Sequence, residues 1–151
     1  MTDVVELSYE ECIELLRGDT VGRIAVYDDP YPLVFPVNYR LVEQDTVGRS
    51  PGETWIAIRT RPGNVIDRAP MFVSFQLDGV DRVHRGGWSV LVAGTLHAVD
   101  SEAAEFRELF DPNPWLDVDR ERWLVIQAAR VTGRRLAAAP IEWAFSVAGY
   151  L

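Results

Sequence analysis

The residues of this chain best placed to do chemistry together are Arg59-Thr60-Arg61-Pro62-Gly63-Asn64. Two guanidinium groups flank a hydroxyl at the end of an apolar run, and a Pro-Gly turn follows. Guanidinium forks grip the oxygens of an anion at two points, and Thr60 donates one hydrogen bond. A helix opening after Gly63 adds unpaired N–H groups. Such a set suits a phosphate. Arg68 follows closely, and this clustering stands out in a chain of formal net charge −8. The same residues are equally well read as an exposed strand end with solvated arginines, and spacing alone does not choose between the two.

Two other segments can complete a binding site. Pro36-Val37-Asn38-Tyr39 offers backbone groups released by the proline, an amide and an aromatic face. Gly87-Trp88-Ser89-Val90 offers a large ring and a hydroxyl at a strand start. A flat ligand with polar edges needs neighbours of this kind, apolar walls with a few placed donors. Trp88 taken alone is more often a core or interface residue than a ligand contact.

Other chemistries find no support. His84 and His97, the only histidines, lack metal-ligand spacing to each other and to Cys12. Gly86-Gly87 is not a dinucleotide fingerprint, and no phosphate-loop or nucleophile-elbow pattern occurs. Asp28-Asp29 reads as a turn rather than a carboxylate pair, and Cys12 as a small core residue with nothing nearby to activate a thiol. No metal site and no catalytic acid or base is identified.

These segments must be held by a strand-rich scaffold. Ser8-Tyr9-Glu10-Glu11 fits a capping box, with Leu7 and Cys12 as a hydrophobic staple, Leu15 and Leu16 on the apolar stripe and Gly18 as the stop. Strands are predicted at 22–27, 33–39, 55–60, 71–77, 88–99 and 123–128, with 130–136 continuing or following the last. The first two form a hairpin, and Pro36 places its strand at an edge or interrupts it. Gly94 marks a bend or bulge. A short helical segment is expected over 65–68, and a second helix from Ser101 to Phe110, closed by Asp111-Pro112-Asn113-Pro114. A loop is expected over 46–54. Residues 137–151 form a tail that docks rather than floats. The order of elements predicts one domain over residues 1–151, mainly β: a closed or nearly closed antiparallel barrel of six or so strands with flanking helices.

At 151 residues the chain is long enough for its own core, and 48% hydrophobic and 25% charged residues are ordinary for a globular protein. The acidity disfavours nucleic acid and anionic membrane as partners. A single cysteine, no secretory signal and no apolar run near the ~20 residues of a membrane helix lead to a cytoplasmic expectation.

Taken in order, Leu7-Ser8 through Leu16, Val21-Gly22-Arg23-Ile24-Ala25, Pro36-Val37-Asn38-Tyr39, Ile58-Arg59-Thr60 with Pro62-Gly63, and Gly87-Trp88-Ser89-Val90 with Val92-Ala93-Gly94 resemble the pyridoxamine 5′-phosphate oxidase-like split-barrel family. Val131-Thr132-Gly133-Arg134-Arg135 is similar to the last strand of some members. The resemblance implies a homodimeric split β-barrel that binds FMN, or a related flavin or deazaflavin, at the subunit interface. It places Arg59 and Thr60 on the phosphate, with Asn38 and its neighbours along the ring. Trp88 and Ser89 approach the ring or ribityl chain, and Arg134 comes from the partner. One departure bears on the ligand. Relatives carry a Ser-Lys pair after the turn glycine, whereas this chain has Asn64-Val65. Either Arg61 or Arg68 replaces the lysine, or the phosphate site is weakened, or the ligand differs. The resulting expectation is an FMN-dependent oxidoreductase of unnamed small-molecule substrate, with an electron donor such as NADH or NADPH. The alternatives are a carrier or sensor of flavin, deazaflavin or haem, and a dimer that has lost its cofactor.

Overall fold

The computed structural model describes residues 3–42, 54–99, 111–115 and 122–136. The expected helix from Ser101, the loop before Thr54 and the tail from Ala137 lie outside the described residues. The elements are β1 (Val4–Glu6), α1 (Tyr9–Arg17), β2 (Val21–Asp28), β3 (Tyr31–Asn38), β4 (Arg40–Val42), β5 (Trp55–Thr60), β6 (Met71–Asp81), β7 (Gly86–Ala98) and β8 (Arg122–Leu136).

Helix α1 forms where its capping residues dictate. The Glu11 N–H donates to Ser8 Oγ at 3.1 Å, and the Ser8 N–H donates back to the Glu11 carboxylate at 2.7 Å. Gly18 ends the helix in right-handed geometry, its N–H shared between the Glu14 and Leu15 carbonyls. Cys12, Leu15 and Leu16 point into the same core as Ile24, Phe75, Leu96 and Ile126. Burying each large aliphatic side chain contributes about 1.5–3 kcal/mol, so this face holds the helix on the sheet. Burial pushes the Cys12 thiol up to about 11, with Glu11 adding to the shift, and such a thiol is an inert core residue.

All strand pairs are antiparallel, in the order β3-β2-β6-β7-β8-β5-β4, with β1 added to the far end of β8. The two ends of this path, β3 and β4, are separated in sequence by one residue, Tyr39. Consecutive Cα atoms lie about 3.8 Å apart, so the sheet has to curl until its ends meet. Tyr39 pins the junction. Its N–H donates to the Thr20 carbonyl at 2.9 Å, its hydroxyl to the Leu16 carbonyl at 2.6 Å, and its ring meets Phe75 edge-on. The result is the split barrel expected from sequence. β3 is an edge strand, as Pro36 required, and it forms the expected hairpin with β2.

Residues 130–136 continue the preceding strand, one of the two arrangements expected, to give the single strand β8. Two expectations need correction. Among the described residues there are eight strands rather than six or so, because β1 and β4 are three residues each, too short for an alternating pattern to show. Residues 65–68 form turns, not a helical segment. The bulge expected at Gly94 is present: Ala93 pairs Arg130 and Gly94 pairs Ala128, leaving one extra residue in β8. No helix among the described residues is long and apolar enough to cross a membrane.

Candidate functional site

The seam where the curled sheet meets itself opens into a cleft of about 250 Å³. Its walls are the end of β3 (Phe35, Pro36, Val37, Asn38), the end of β5 (Arg59, Thr60), the following turn (Asn64, Ile66) and Pro114. β3 and β5 lie far apart in the sheet order, and only the curl brings them together. Six of the twelve residues singled out from sequence thus line one cavity: Pro36, Val37, Asn38, Arg59, Thr60 and Asn64.

Arg59 is not a solvated strand-end arginine. Its guanidinium carbon lies 4.6 Å from the centre of the Trp123 ring, its direct cross-strand partner on β8. Its Nη1 lies 3.3 Å from Asp111 Oδ1, and the side chain is 20% exposed. Thr60, the last residue of β5, is buried and lines the cleft beside Arg59. Asn38 accepts the Trp115 N–H at 2.9 Å on its amide oxygen, and the Asp111 oxygen that faces Arg59 also accepts the Asn113 N–H at 2.9 Å. The segment Asp111–Trp115 is therefore tied to both walls of the cleft.

The turn after β5 does not present a row of unpaired N–H groups. Gly63, at φ +79°, supplies the left-handed position the turn needs. Its N–H donates to Asp67 Oδ2 at 2.8 Å. The Asn64 N–H donates to the Arg61 carbonyl, the Asp67 N–H to the Asn64 carbonyl, and the Ile66 N–H to the Asn64 side chain. With no helix forming, these donors close the turn on itself, which corrects the helix-terminus part of the expected anion site. Arg61 and Gly63 are exposed and do not line the cleft. Arg68 pairs with Asp28 at 2.7 Å, and Arg122 with Asp67 at 3.2 Å.

Tyr39, expected beside a ligand, is instead 2% exposed in the core, with burial raising its phenol far above the ordinary range and Asp19 adding to the rise. Trp88, Ser89 and Arg134 line a different depression of about 380 Å³, together with Gly79, Arg135 and Leu136, and it shares no residue with the cleft. Ser89 and Arg134 are direct cross-strand partners. Trp88 is buried, and its indole N–H has no hydrogen-bond partner among the described residues.

Sequence reading missed Phe35, Ile66, Asp111, Pro114 and Trp123. The Arg59–Trp123 stack needs the β5–β8 register, and Asp111-Pro112-Asn113-Pro114 signalled only the end of a helix.

The family described as pyridoxamine 5′-phosphate oxidase matches residues 8–135. An uncharacterised protein of Mycobacterium tuberculosis is 28% identical over 138 residues, covering 90% of this chain and 88% of the relative. Among solved structures, an FAD binding protein from Mycobacterium smegmatis is 28% identical with a TM-score of 0.62, covering 89% of this chain and 99% of that one. An FAD-binding protein from Mesorhizobium loti is 25% identical with a TM-score of 0.68, covering 91% and 99%.

Proposed function

Since this chain belongs to the pyridoxamine 5′-phosphate oxidase family, we propose that it binds a flavin nucleotide and acts through it as an oxidoreductase. The observation that carries this reading is the convergence of Arg59, Thr60, Asn38 and Asn64 on one cleft with an apolar wall. A guanidinium, a hydroxyl and two amides are the donors a phosphate and a polyhydroxylated chain require, and Phe35, Pro36, Val37 and Ile66 suit the edge of a flat ring. The two FAD-binding structures similar to this chain support the same ligand class.

The cleft is smaller than the ~300–1,000 Å³ usual for ligand sites, so it accommodates the phosphate end of such a nucleotide rather than the whole. We place the rest against a second copy, whose Trp88, Ser89 and Arg134 supply the other wall. The site is then shared across a homodimer. A bound flavin supplies hydride transfer through its own ring. The chain binds and orients it: Arg59, fixed by its stack on Trp123, holds the anionic end, Thr60 and Asn38 set the direction of the chain beyond it, and the apolar wall excludes water. Among the described residues no histidine or cysteine lines the cleft, and the carboxylate beside it, Asp111, is paired with Arg59, so acid–base work is left to cofactor and substrate. The same fact favours a second reading, a flavin carrier without turnover of its own.

Titration with FAD and FMN, followed by flavin fluorescence, tests the reading. Arg59→Ala removes a charge-assisted hydrogen bond worth about 1.5–3 kcal/mol and should weaken binding by roughly one to two decades. Wild-type protein that takes up neither nucleotide, or an Arg59→Ala variant of unchanged affinity, overturns it. Reduction of the bound flavin by NADH or NADPH separates the oxidoreductase from the carrier.

A further inference from the structure

The guanidinium that faces the cleft is already half of an ion pair. Arg59 Nη1 lies 3.3 Å from Asp111 Oδ1, and that carboxylate oxygen is held in place by the Asn113 N–H at 2.9 Å. The Trp115 N–H on Asn38 and Pro114 in the cleft wall keep the whole segment against the site. Two arginines near the neighbouring turn are paired in the same way, Arg68 with Asp28 and Arg122 with Asp67. Arg61, the arginine within that turn, is exposed and does not line the cleft. At the anchor the Asp111 carboxylate offsets the charge of Arg59.

A terminal phosphate monoester carries a charge of about −1.5 to −2 at neutral pH, concentrated on one phosphorus. A diphosphate diester carries one charge on each of two phosphorus atoms. Repulsion from a fixed carboxylate rises in proportion to the charge brought beside it. We infer that Asp111 is a specificity-determining residue of this site, disfavouring a dianionic phosphate monoester and selecting the diphosphate diester of FAD over FMN. The inference rests on the proposed role of Arg59 as anchor. Asp111 does this by lowering the net charge at the guanidinium and by engaging its Nη1.

Dissociation constants for FMN and FAD in wild type, Asp111→Asn, Asp111→Glu and Arg59→Ala test it. Wild type should prefer FAD. Asp111→Asn, which keeps the shape and removes the charge, should raise FMN affinity about tenfold and FAD affinity no more than about threefold, narrowing the preference. Asp111→Glu should retain the wild-type preference. If Asp111→Asn shifts both nucleotides by the same factor, or neither, while Arg59→Ala weakens both, Asp111 is not the selector and the anchor stands. If Arg59→Ala binds both as wild type does, the anchor is wrong and this inference falls with it.

Discussion

Asp81 closes the turn between β6 and β7 with both carboxylate oxygens. Oδ1 accepts the Val83 and His84 N–H groups at 2.9 and 3.0 Å, and Oδ2 lies 2.6 Å from His84 Nδ1. The His84 N–H is the largest influence holding the Asp81 carboxyl below the ordinary carboxylate range, with the His84 ring and the Val83 N–H adding to it. A depressed folded-state pKa stabilises the fold above the unfolded value of about 3.9, and the effect is lost as pH falls through the folded value. Asp81→Asn should therefore lower the melting temperature at pH 7, and the deficit should shrink as the pH falls below the ordinary carboxylate range. A deficit of equal size at both ends, measured by thermal unfolding, would show that the carboxylate charge does not matter here. At the same scale, Arg59 shows how a residue legible from sequence acquires its meaning from neighbours. Its type and place at a strand end fitted an anion contact and a solvated arginine equally, whereas its stack on Trp123 and its pairing with Asp111 are products of the fold.

Among the elements, β7 and β8 pair along their whole overlap, and the register between them changes at Gly94. An added Cβ at Gly94 would sit 2.1 Å from the Gln127 carbonyl oxygen, a backbone atom that cannot move aside without breaking the ladder. Gly94→Ala should cost on the order of 1–3 kcal/mol or more, as overpacking against rigid atoms does, and chemical denaturation should show a lowered midpoint. A variant as stable as wild type would mean that the bulge slides to relieve the clash. Gly94 was identified as a bend or bulge from its place in an apolar strand, and Pro36 as an edge marker from its missing N–H. Both are local rules, and both hold in the structure. The turn after β5 failed the same kind of reading. Its Pro-Gly-Asn sequence fits a helix start as well as a multiple turn, and the Gly63–Asp67 hydrogen bond that decides between them is made across four residues.

For the molecule as a whole, the proposed dimer divides the cofactor site into two half-sites that lie on different parts of one chain. That division predicts complementation. Arg59→Ala and Arg134→Ala chains should each bind flavin poorly alone. Mixed and allowed to exchange subunits, they should recover about one intact site in four, because half the dimers are mixed and each of those has one unaltered site. Recovery is measured as flavin bound per chain. A mixture no better than its components, while light scattering shows exchange into dimers, would place both half-sites in the same subunit or discard one of them.

By itself the sequence determined the capped helix, the edge character of β3, the strand-rich class and six of the nine residues that line the cleft. Each of these depends on backbone chemistry or side-chain period within a few residues. The rest was decided only by tertiary structure. Tyr39 sits next to Asn38 in the chain but turns into the core, because the two ends of the sheet meet at that residue and its hydroxyl reaches Leu16. Asp111 lies 52 positions from Arg59 and becomes its partner only when the sheet has curled and the segment after it has been tied to Asn38. Pairing between distant residues depends on register and closure, and local patterning carries no record of either.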